Sequence, residues 1–125
     1  MKPVQKTDLN TLFPLPAQHA TLVLDRLFSP PEAVLLRLGY RPREMQDKWF
    51  IYFENDVLYF HRSWTGFCIY QVSFVPEGQG LRMTRALVSR NAEQYGETRD
   101  DRDREQMLEL IDRFLLHRND DAPRT

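Results

Sequence analysis

The residues His61–Gly66 (HRSWTG) place an imidazole, a guanidinium, two hydroxyls and an indole around one tight turn. Side chains of these types can bind a phosphate, a nucleotide-like ring or a peptide carboxylate. The same residues also fit a structural role, in which the hydroxyls satisfy the turn backbone, Trp64 covers the end of a sheet and Arg62 stacks on Trp49. The sequence leaves both interpretations open.

His61 and Cys68 are residue types that nucleophilic catalysis uses, and the strand pairing described below places them opposite each other. A Cys–His dyad also needs a third group that orients the imidazole, and no acidic residue is identifiable for that role. A cysteine in a strand is typically a small buried apolar residue. Ser63 lies outside any G-x-S-x-G motif. We therefore predict no catalytic residue.

The histidines do not form a metal-binding pattern, because His19, His61 and His117 are scattered along the chain. With one cysteine no intrachain disulfide can form, and the sequence contains neither a CxxC nor an HExxH motif. A P-loop and a GxGxxG motif are also absent from the sequence. The sequence therefore predicts neither a metal ion nor a cofactor.

A nucleic-acid surface is weakly indicated. Arginines interleaved with aromatic residues on a sheet can hold single-stranded nucleic acid. The arginines that could form such a surface are Arg41, Arg43, Arg82, Arg85 and Arg90. The acidic residues Asp100, Asp101 and Asp103 and the net charge of −1 oppose this interpretation. We therefore expect no nucleic-acid partner.

These side chains belong to the stretch from Lys48 to Phe74, which is the densest run of β-branched and aromatic residues in the chain. Asn55-Asp56 tolerates positive φ and suits a tight hairpin turn, and Gly66 ends a second, longer turn. The stretch therefore predicts three antiparallel strands, at Trp49–Phe53, Val57–Arg62 and Phe67–Phe74.

The predicted register gives the meander two different faces, since opposed residues share a face and neighbours alternate. One face is plain hydrocarbon and includes Ile51 and Phe60. The other carries a row of tyrosines beside His61, namely Tyr52, Tyr59 and Tyr70. Such a row lines either a cleft or a second, more polar packing layer. A slip of one residue in either turn would exchange the faces of the next strand.

The elements around the meander are predicted from periodicity and caps. Ser29-Pro30-Pro31-Glu32 is typical of a helix start, and Gly39 of a helix end. Apolar spacing favours a helix over Ala17–Phe28, with a short strand at Thr21–Leu24 as the alternative. The remaining predicted elements are an extended Thr11–Pro16, a strand over Leu81–Arg90 and a helix over Asp101–Arg118. The predicted fold is α+β, a four-stranded antiparallel β-meander with about three α-helices on one face.

Length and composition predict one domain, over residues 1–125, with flexible tails at 1–10 and 119–125. Hydrophobic residues make up 42% and charged residues 28%, as in an ordinary globular protein. The first residues lack the apolar stretch of a signal peptide, and no run is long enough to span a membrane. A cytoplasmic bacterial-type protein is therefore expected.

The block DKWFIYFENDVLYFHRSWTGFCIY resembles small bacterial proteins of unknown function that carry the same Trp-rich hairpin and an HRSWTG-like turn. The likeness covers roughly Met45 to Asp101, and residues 1–44 lie outside it. The resemblance implies a family and no mechanism.

These observations favour a non-enzymatic module that binds a small ligand or a protein partner through the aromatic sheet face and the His61–Gly66 turn. The predicted ligand-binding residues are Tyr52, Tyr59, His61, Arg62, Ser63, Trp64 and Tyr70. The alternative is an enzyme for a phosphorylated or nucleotide-like substrate, with Arg62 as the anion clamp and His61 as general acid or base. A homodimer that buries the aromatic face is a further possibility.

Overall fold

A five-stranded antiparallel sheet forms the framework of the protein, in the order β1-β5-β4-β3-β2. The computed structural model describes residues 2–9, 11–44 and 46–117. The strands are β1 His19–Phe28, β2 Trp49–Glu54, β3 Val57–Arg62, β4 Cys68–Glu77 and β5 Gly80–Ser89. Two α-helices accompany them, α1 Pro30–Leu38 and α2 Asp100–Leu110. A 3-10 turn at Lys6–Asp8 and a π-helical continuation of α2 at Ile111–Leu116 complete the described part.

The α+β class with an antiparallel sheet is confirmed, but the predicted helix over Ala17–Phe28 is wrong. Most of that segment is strand β1, which pairs with β5 from His19↔Ser89 to Phe28↔Leu81. Leu22 and Leu24 are buried while their neighbours are exposed, so the burial period is two. The apolar spacing fitted both periods, and pairing with the free edge of β5 selected the strand. The sheet therefore has one strand more, and the fold one helix fewer, than predicted.

The first hairpin of the meander forms as predicted. Asn55 and Asp56 both have positive φ, at 53° and 63°, as a tight two-residue turn requires. Tyr52 lies opposite Tyr59, and Ile51 lies opposite Phe60. The predicted pairing of His61 with Cys68 across β3 and β4 is also present.

A β-bulge in β4 changes the register beyond that point. Phe60 pairs with Tyr70 while the next residue, His61, pairs with Cys68, so Ile69 is the extra residue. The predicted row of Tyr52, Tyr59 and Tyr70 is therefore wrong at its last member, since Tyr59 lies opposite Gln71 rather than Tyr70. Tyr70 consequently belongs to the face that packs on the helices, together with Phe60.

A hairpin loop over Pro76–Gly80 predicts that Leu87 lies beside Ile69, and this register between β4 and β5 is also wrong. Glu77 pairs directly with Gly80, which shortens the loop to Gly78-Gln79. A second irregularity follows between Ser73 and Phe74. As a result Gln71, rather than Ile69, lies opposite Leu87.

Helix α1 begins and ends as its sequence predicts. The Ser29 backbone N–H donates to Glu32 Oε1 at 2.8 Å, and the Glu32 N–H donates to Ser29 Oγ at 3.3 Å. Gly39 ends the helix with φ 70°, where a Cβ would overlap the Ile51 carbonyl oxygen. The predicted end of the last helix, Arg118, and the predicted tail at 119–125 lie outside the described residues.

The main hydrophobic core lies between the sheet and the helices and includes Ile51, Phe60, Tyr70 and Met107. Four further buried residues belong to β2, β3 and β4 but not to that core: Phe50, Tyr52, His61 and Cys68. They belong to the opposite, outer face of the sheet. This face is the one that the alternation of β2 and β3 predicted for them.

Residues 4–9 and 11–15 cross this outer face, and we call them the N-terminal strap. The Val4 N–H donates to the Leu38 carbonyl at 2.8 Å, and the Phe13 N–H donates to the Gly66 carbonyl at 3.0 Å. The Phe13 ring lies 5.5 Å from that of Phe67. The segment over Thr11–Pro16, predicted as extended, thus packs on the outer face of the sheet, and the strap forms one wall of the candidate site.

Candidate functional site

A groove of about 770 Å³ lies between the N-terminal strap and the outer face of the sheet, and we call it the strap groove. The sheet lines it with Tyr52, Tyr59, His61, Cys68 and Gln71. The strap lines it with apolar residues between Leu9 and Leu15 and with Lys6 and Thr7. The walls are therefore aromatic and aliphatic, with a few polar atoms among them.

The sheet side of the groove is a continuous stack of flat rings. Tyr52 stacks on Tyr59 with centroids 4.7 Å apart and planes at 15°. Tyr52 also stacks on His61, with centroids 5.7 Å apart and planes at 17°. Burial raises the pKa of Tyr52 to about 12 and also raises the pKa of Tyr59. Both hydroxyls therefore stay protonated at neutral pH.

The His61 ring has one nitrogen bonded and one nitrogen unsatisfied. Nδ1 lies 2.9 Å from the Gly66 carbonyl oxygen, which fixes Nδ1 as the protonated nitrogen and Nε2 as an acceptor. Nε2 is buried and has no hydrogen-bond partner among the described residues. The residue is only 3% exposed, and burial lowers the pKa of the imidazole, which is therefore neutral at pH 7. An unsatisfied buried acceptor of this kind costs about 1–3 kcal/mol.

Cys68 pairs with His61 across the ladder but is not an activated nucleophile. The thiol is 1% exposed, and burial raises its pKa to about 12. Its Sγ donates to the Tyr70 carbonyl oxygen at 3.5 Å. A protonated, buried thiol is the small apolar residue that the strand context predicted.

Arg62 lies in a different cleft, because alternate residues of β3 face opposite sides. This cleft of about 490 Å³, the arginine cleft, is lined by Lys48, Arg62, Trp64, Phe67, Gln94 and their neighbours. The guanidinium carbon of Arg62 lies 4.4 Å from the centre of a Trp49 ring, as the structural interpretation predicted. Trp64 does not cover the end of the sheet, since it is 71% exposed.

The hydroxyls of the turn have structural roles. Ser63 Oγ donates to the Asp47 carbonyl oxygen at 2.6 Å, and Thr65 Oγ1 accepts from the Phe67 N–H at 3.3 Å. The turn ends at Gly66, where φ is 79° and a Cβ would overlap the Thr11 carbonyl oxygen. Gly66 therefore holds the strap close to the sheet.

Tyr70 lies inside the protein rather than in either cleft. Its hydroxyl lies 3.0 Å from the Tyr95 hydroxyl and donates to Asp103 Oδ1 at 3.0 Å. The Gln106 side-chain amide donates to the same hydroxyl at 2.5 Å. Burial raises the pKa of Tyr70, so the hydroxyl stays protonated. Tyr70 is therefore part of a polar network between the sheet and α2.

The predicted site residues thus do not share one site. Tyr52, Tyr59 and His61 line the strap groove, while Arg62 and Trp64 line the arginine cleft. Tyr70 lies in the network against α2, and Ser63 bonds the Asp47 carbonyl. Sequence reasoning missed Gln71 because the bulge that exposes it has no sequence signature. It also missed Lys48 and Gln94, which come to the arginine cleft from connectors, and the strap residues that line the strap groove.

Comparison with known proteins adds no assignment, since no family model, curated protein or solved structure matches the chain. The resemblance of the HRSWTG block to small bacterial proteins stays a prediction. Among the described residues no helix is long and apolar enough to cross a membrane. Within the same residues no cluster of His, Cys, Asp and Glu is arranged to hold a metal ion.

Proposed function

We propose that this protein binds, without chemical conversion, an uncharged flat molecule that carries a hydroxyl or N–H group, and that the strap groove is the binding site. The observation that carries the proposal is His61 Nε2, a buried acceptor without a partner in a residue that lines the groove. A hydrogen-bond donor on the ligand would satisfy this atom. The ligand would thereby relieve a cost that the free protein bears.

The aromatic wall supports a flat ligand. Tyr52, Tyr59 and His61 form one stack that lines the groove, and its aromatic surface offers apolar area to a planar partner. Leu12 and Pro14 of the strap line the opposite side of the groove. A planar ring system would contact both walls, while the tyrosine hydroxyls and the Gln71 amide are available to polar substituents.

The charges of the groove support an uncharged ligand. His61 is neutral, and the Tyr52, Tyr59 and Cys68 side chains stay protonated because burial raises each of their pKa values. Lys6 contributes a cation, but its ammonium lies 3.7 Å from a Glu54 carboxylate oxygen. An anionic ligand would therefore gain little in this groove.

The alternative of an enzyme for a phosphorylated substrate has less support. It needs His61 and Arg62 at one substrate, whereas His61 lines the strap groove and Arg62 lines the arginine cleft. The group that orients His61 is a backbone carbonyl, not a carboxylate. A histidine held in this way is suited to accepting a hydrogen bond from a ligand.

A pair of probes that differ in one donor tests the proposal. We expect 2-naphthol to bind about tenfold more tightly than 2-methoxynaphthalene, the equivalent of one hydrogen bond. Chemical shifts followed by NMR should change at Tyr52, Tyr59 and His61. In His61→Phe the preference for 2-naphthol should disappear while the methyl ether still binds.

His19 provides the matched control, because its Nδ1 also lies 2.9 Å from a carbonyl oxygen but its side chain is exposed. His19→Phe should keep the preference for 2-naphthol. Equal affinities of the two probes in the unmodified protein, or a preference that survives His61→Phe, would overturn the proposal.

A further inference from the structure

We propose that the arginine cleft is a second binding site, which takes a carboxylate with a neighbouring amide N–H and an apolar side chain. This chemistry occurs at the C-terminus of a peptide and in a free N-acylated amino acid. The inference stands apart from the strap groove, because the residues that carry it belong to the other cleft.

The Arg62 guanidinium provides the anion contact. Its central carbon lies 4.4 Å from a Trp49 ring centre and 5.9 Å from that of Tyr95. A guanidinium that contacts aromatic rings in this way keeps N–H donors that can bind a carboxylate in a bidentate manner. Among the described residues no carboxylate forms an ion pair with Arg62.

The charge balance of the cleft favours an anion. Lys48 and Arg62 both line it, and Glu93 is the one acidic residue among its described lining residues. The cleft therefore carries a net positive charge near neutral pH. Lys48 adds a mobile point charge beside the rigid guanidinium, a combination that suits a carboxylate.

Gln94 provides an acceptor for a hydrogen-bond donor on the ligand. Its Oε1 atom is buried and has no partner among the described residues, although the residue lines the cleft. A backbone-type amide N–H next to the carboxylate would satisfy this oxygen. A simple carboxylate without an N–H would leave the Gln94 oxygen unsatisfied. The site should therefore bind it more weakly than a carboxylate with a neighbouring amide N–H.

Trp64 and Phe67 supply the apolar contact. Trp64 is 71% exposed, which is unusual for so large a side chain, and both residues line the cleft. An apolar side chain on the ligand would cover the indole. Tryptophan and arginine side by side are the residues that most often dominate binding energies at recognition sites.

The test uses N-acetyl-phenylalanine, its neutral carboxamide, and 3-phenylpropionate, which lacks the N–H. We expect the acid to shift the Trp64 indole N–H signal in NMR and to bind at least about tenfold more tightly than the carboxamide. It should also bind about five- to tenfold more tightly than 3-phenylpropionate. Added salt should weaken the binding of the acid and leave the binding of the carboxamide unchanged.

Substitutions separate the contributions. Arg62→Gln should remove the preference for the acid over the carboxamide, and Gln94→Leu should remove the preference for the acid over 3-phenylpropionate. Trp64→Ala should weaken the binding of all probes. The variant should fold, because Trp64 is exposed. The control is Arg113→Gln, since Arg113 is exposed and also lies over a ring, 5.4 Å from that of Phe114.

Peptides that end in phenylalanine identify the source of the carboxylate. An affinity that rises with each added residue would indicate a peptide C-terminus, and an unchanged affinity would indicate a free acylated amino acid. Equal binding of acid and carboxamide, or full binding by the acid in Arg62→Gln, would overturn the inference. Neither result would bear on 2-naphthol in the strap groove.

Discussion

The imidazole of His61 lies nearly parallel to the ring of Tyr52, with centroids 5.7 Å apart and planes at 17°. The ring is held in this position because Nδ1 donates to the Gly66 carbonyl oxygen. One bond to the turn therefore fixes the tautomer, the ring plane and the position of Nε2. The pairing gives the strap groove an aromatic wall that includes a residue with an unsatisfied hydrogen-bond acceptor.

The neutral state of His61 predicts a dependence of stability on pH. Burial lowers its pKa in the folded protein below the ordinary value of 6.5, so unfolding is accompanied by proton uptake in acid. The contribution of neutral His61 to the free energy of unfolding is fully present above pH 6.5. It is lost as the pH falls from 6.5 towards the folded-state pKa. Urea unfolding at several pH values should show this decline, and His61→Gln should reduce it while His19→Gln keeps it.

The Cys68 thiol should be unreactive in the folded protein. Burial raises its pKa to about 12, and its surface is almost wholly covered. We expect a disulfide reagent at mildly alkaline pH to modify it at least about 100-fold more slowly than in urea, because reaction requires opening of the structure. Rapid modification of the folded protein would show that the groove exposes the thiolate.

Asp103 should be a major determinant of stability. It is fully buried, accepts hydrogen bonds from Tyr70 and Tyr95, and lies 2.6 Å from an Arg90 nitrogen. Asp103→Asn removes the buried carboxylate that Arg90 and the two tyrosines share, while Arg90 keeps Asp100 at 2.6 Å. We therefore expect a loss of about 1–3 kcal/mol in the free energy of unfolding. Urea unfolding measures this loss.

The control for Asp103 is Asp101→Asn, which removes an exposed carboxylate that pairs with Arg99 at 2.6 Å. Exposed pairs contribute little, so this variant should unfold almost like the unmodified protein. Similar losses in the two variants would contradict the assignment of Asp103 to a buried network.

Gly66→Ala should loosen the strap. Alanine is strained at φ 79°, and its Cβ would overlap the Thr11 carbonyl oxygen. Gly78→Ala is the control, because φ is 60° there and no atom lies within 4 Å of the added Cβ. We expect Gly66→Ala to be more destabilising by about 1–3 kcal/mol, and amide exchange at Phe13 to accelerate in that variant alone. Equal effects would contradict the close approach of the strap.

Local signals predicted the parts of the fold that local chemistry determines. The Asn55-Asp56 turn set the register of β2 against β3, and the Ser29–Glu32 capping box set the start of α1. Long-range pairing decided the rest. The segment from His19 to Phe28 fits a helix or a strand in isolation, and only the available edge of β5 made it a strand.

The candidate site was predictable up to the bulge. Tyr52, Tyr59 and His61 share a face because β2 and β3 alternate regularly on either side of a well-defined turn. Ile69 then adds one residue to β4, which moves Tyr70 into the core and brings Gln71 to the groove. The separation of Arg62 from His61 follows from strand alternation alone, whereas the part played by the strap depended on tertiary contacts.

The most direct test of the account is NMR of the His61 ring nitrogens during titration with 2-naphthol. We expect Nδ1 to be protonated throughout, and the Nε2 resonance to move from the position of a free acceptor to that of a hydrogen-bonded one as the groove fills. An Nε2 resonance that stays unchanged at saturation, or a free protein in which Nε2 carries the proton, would contradict it.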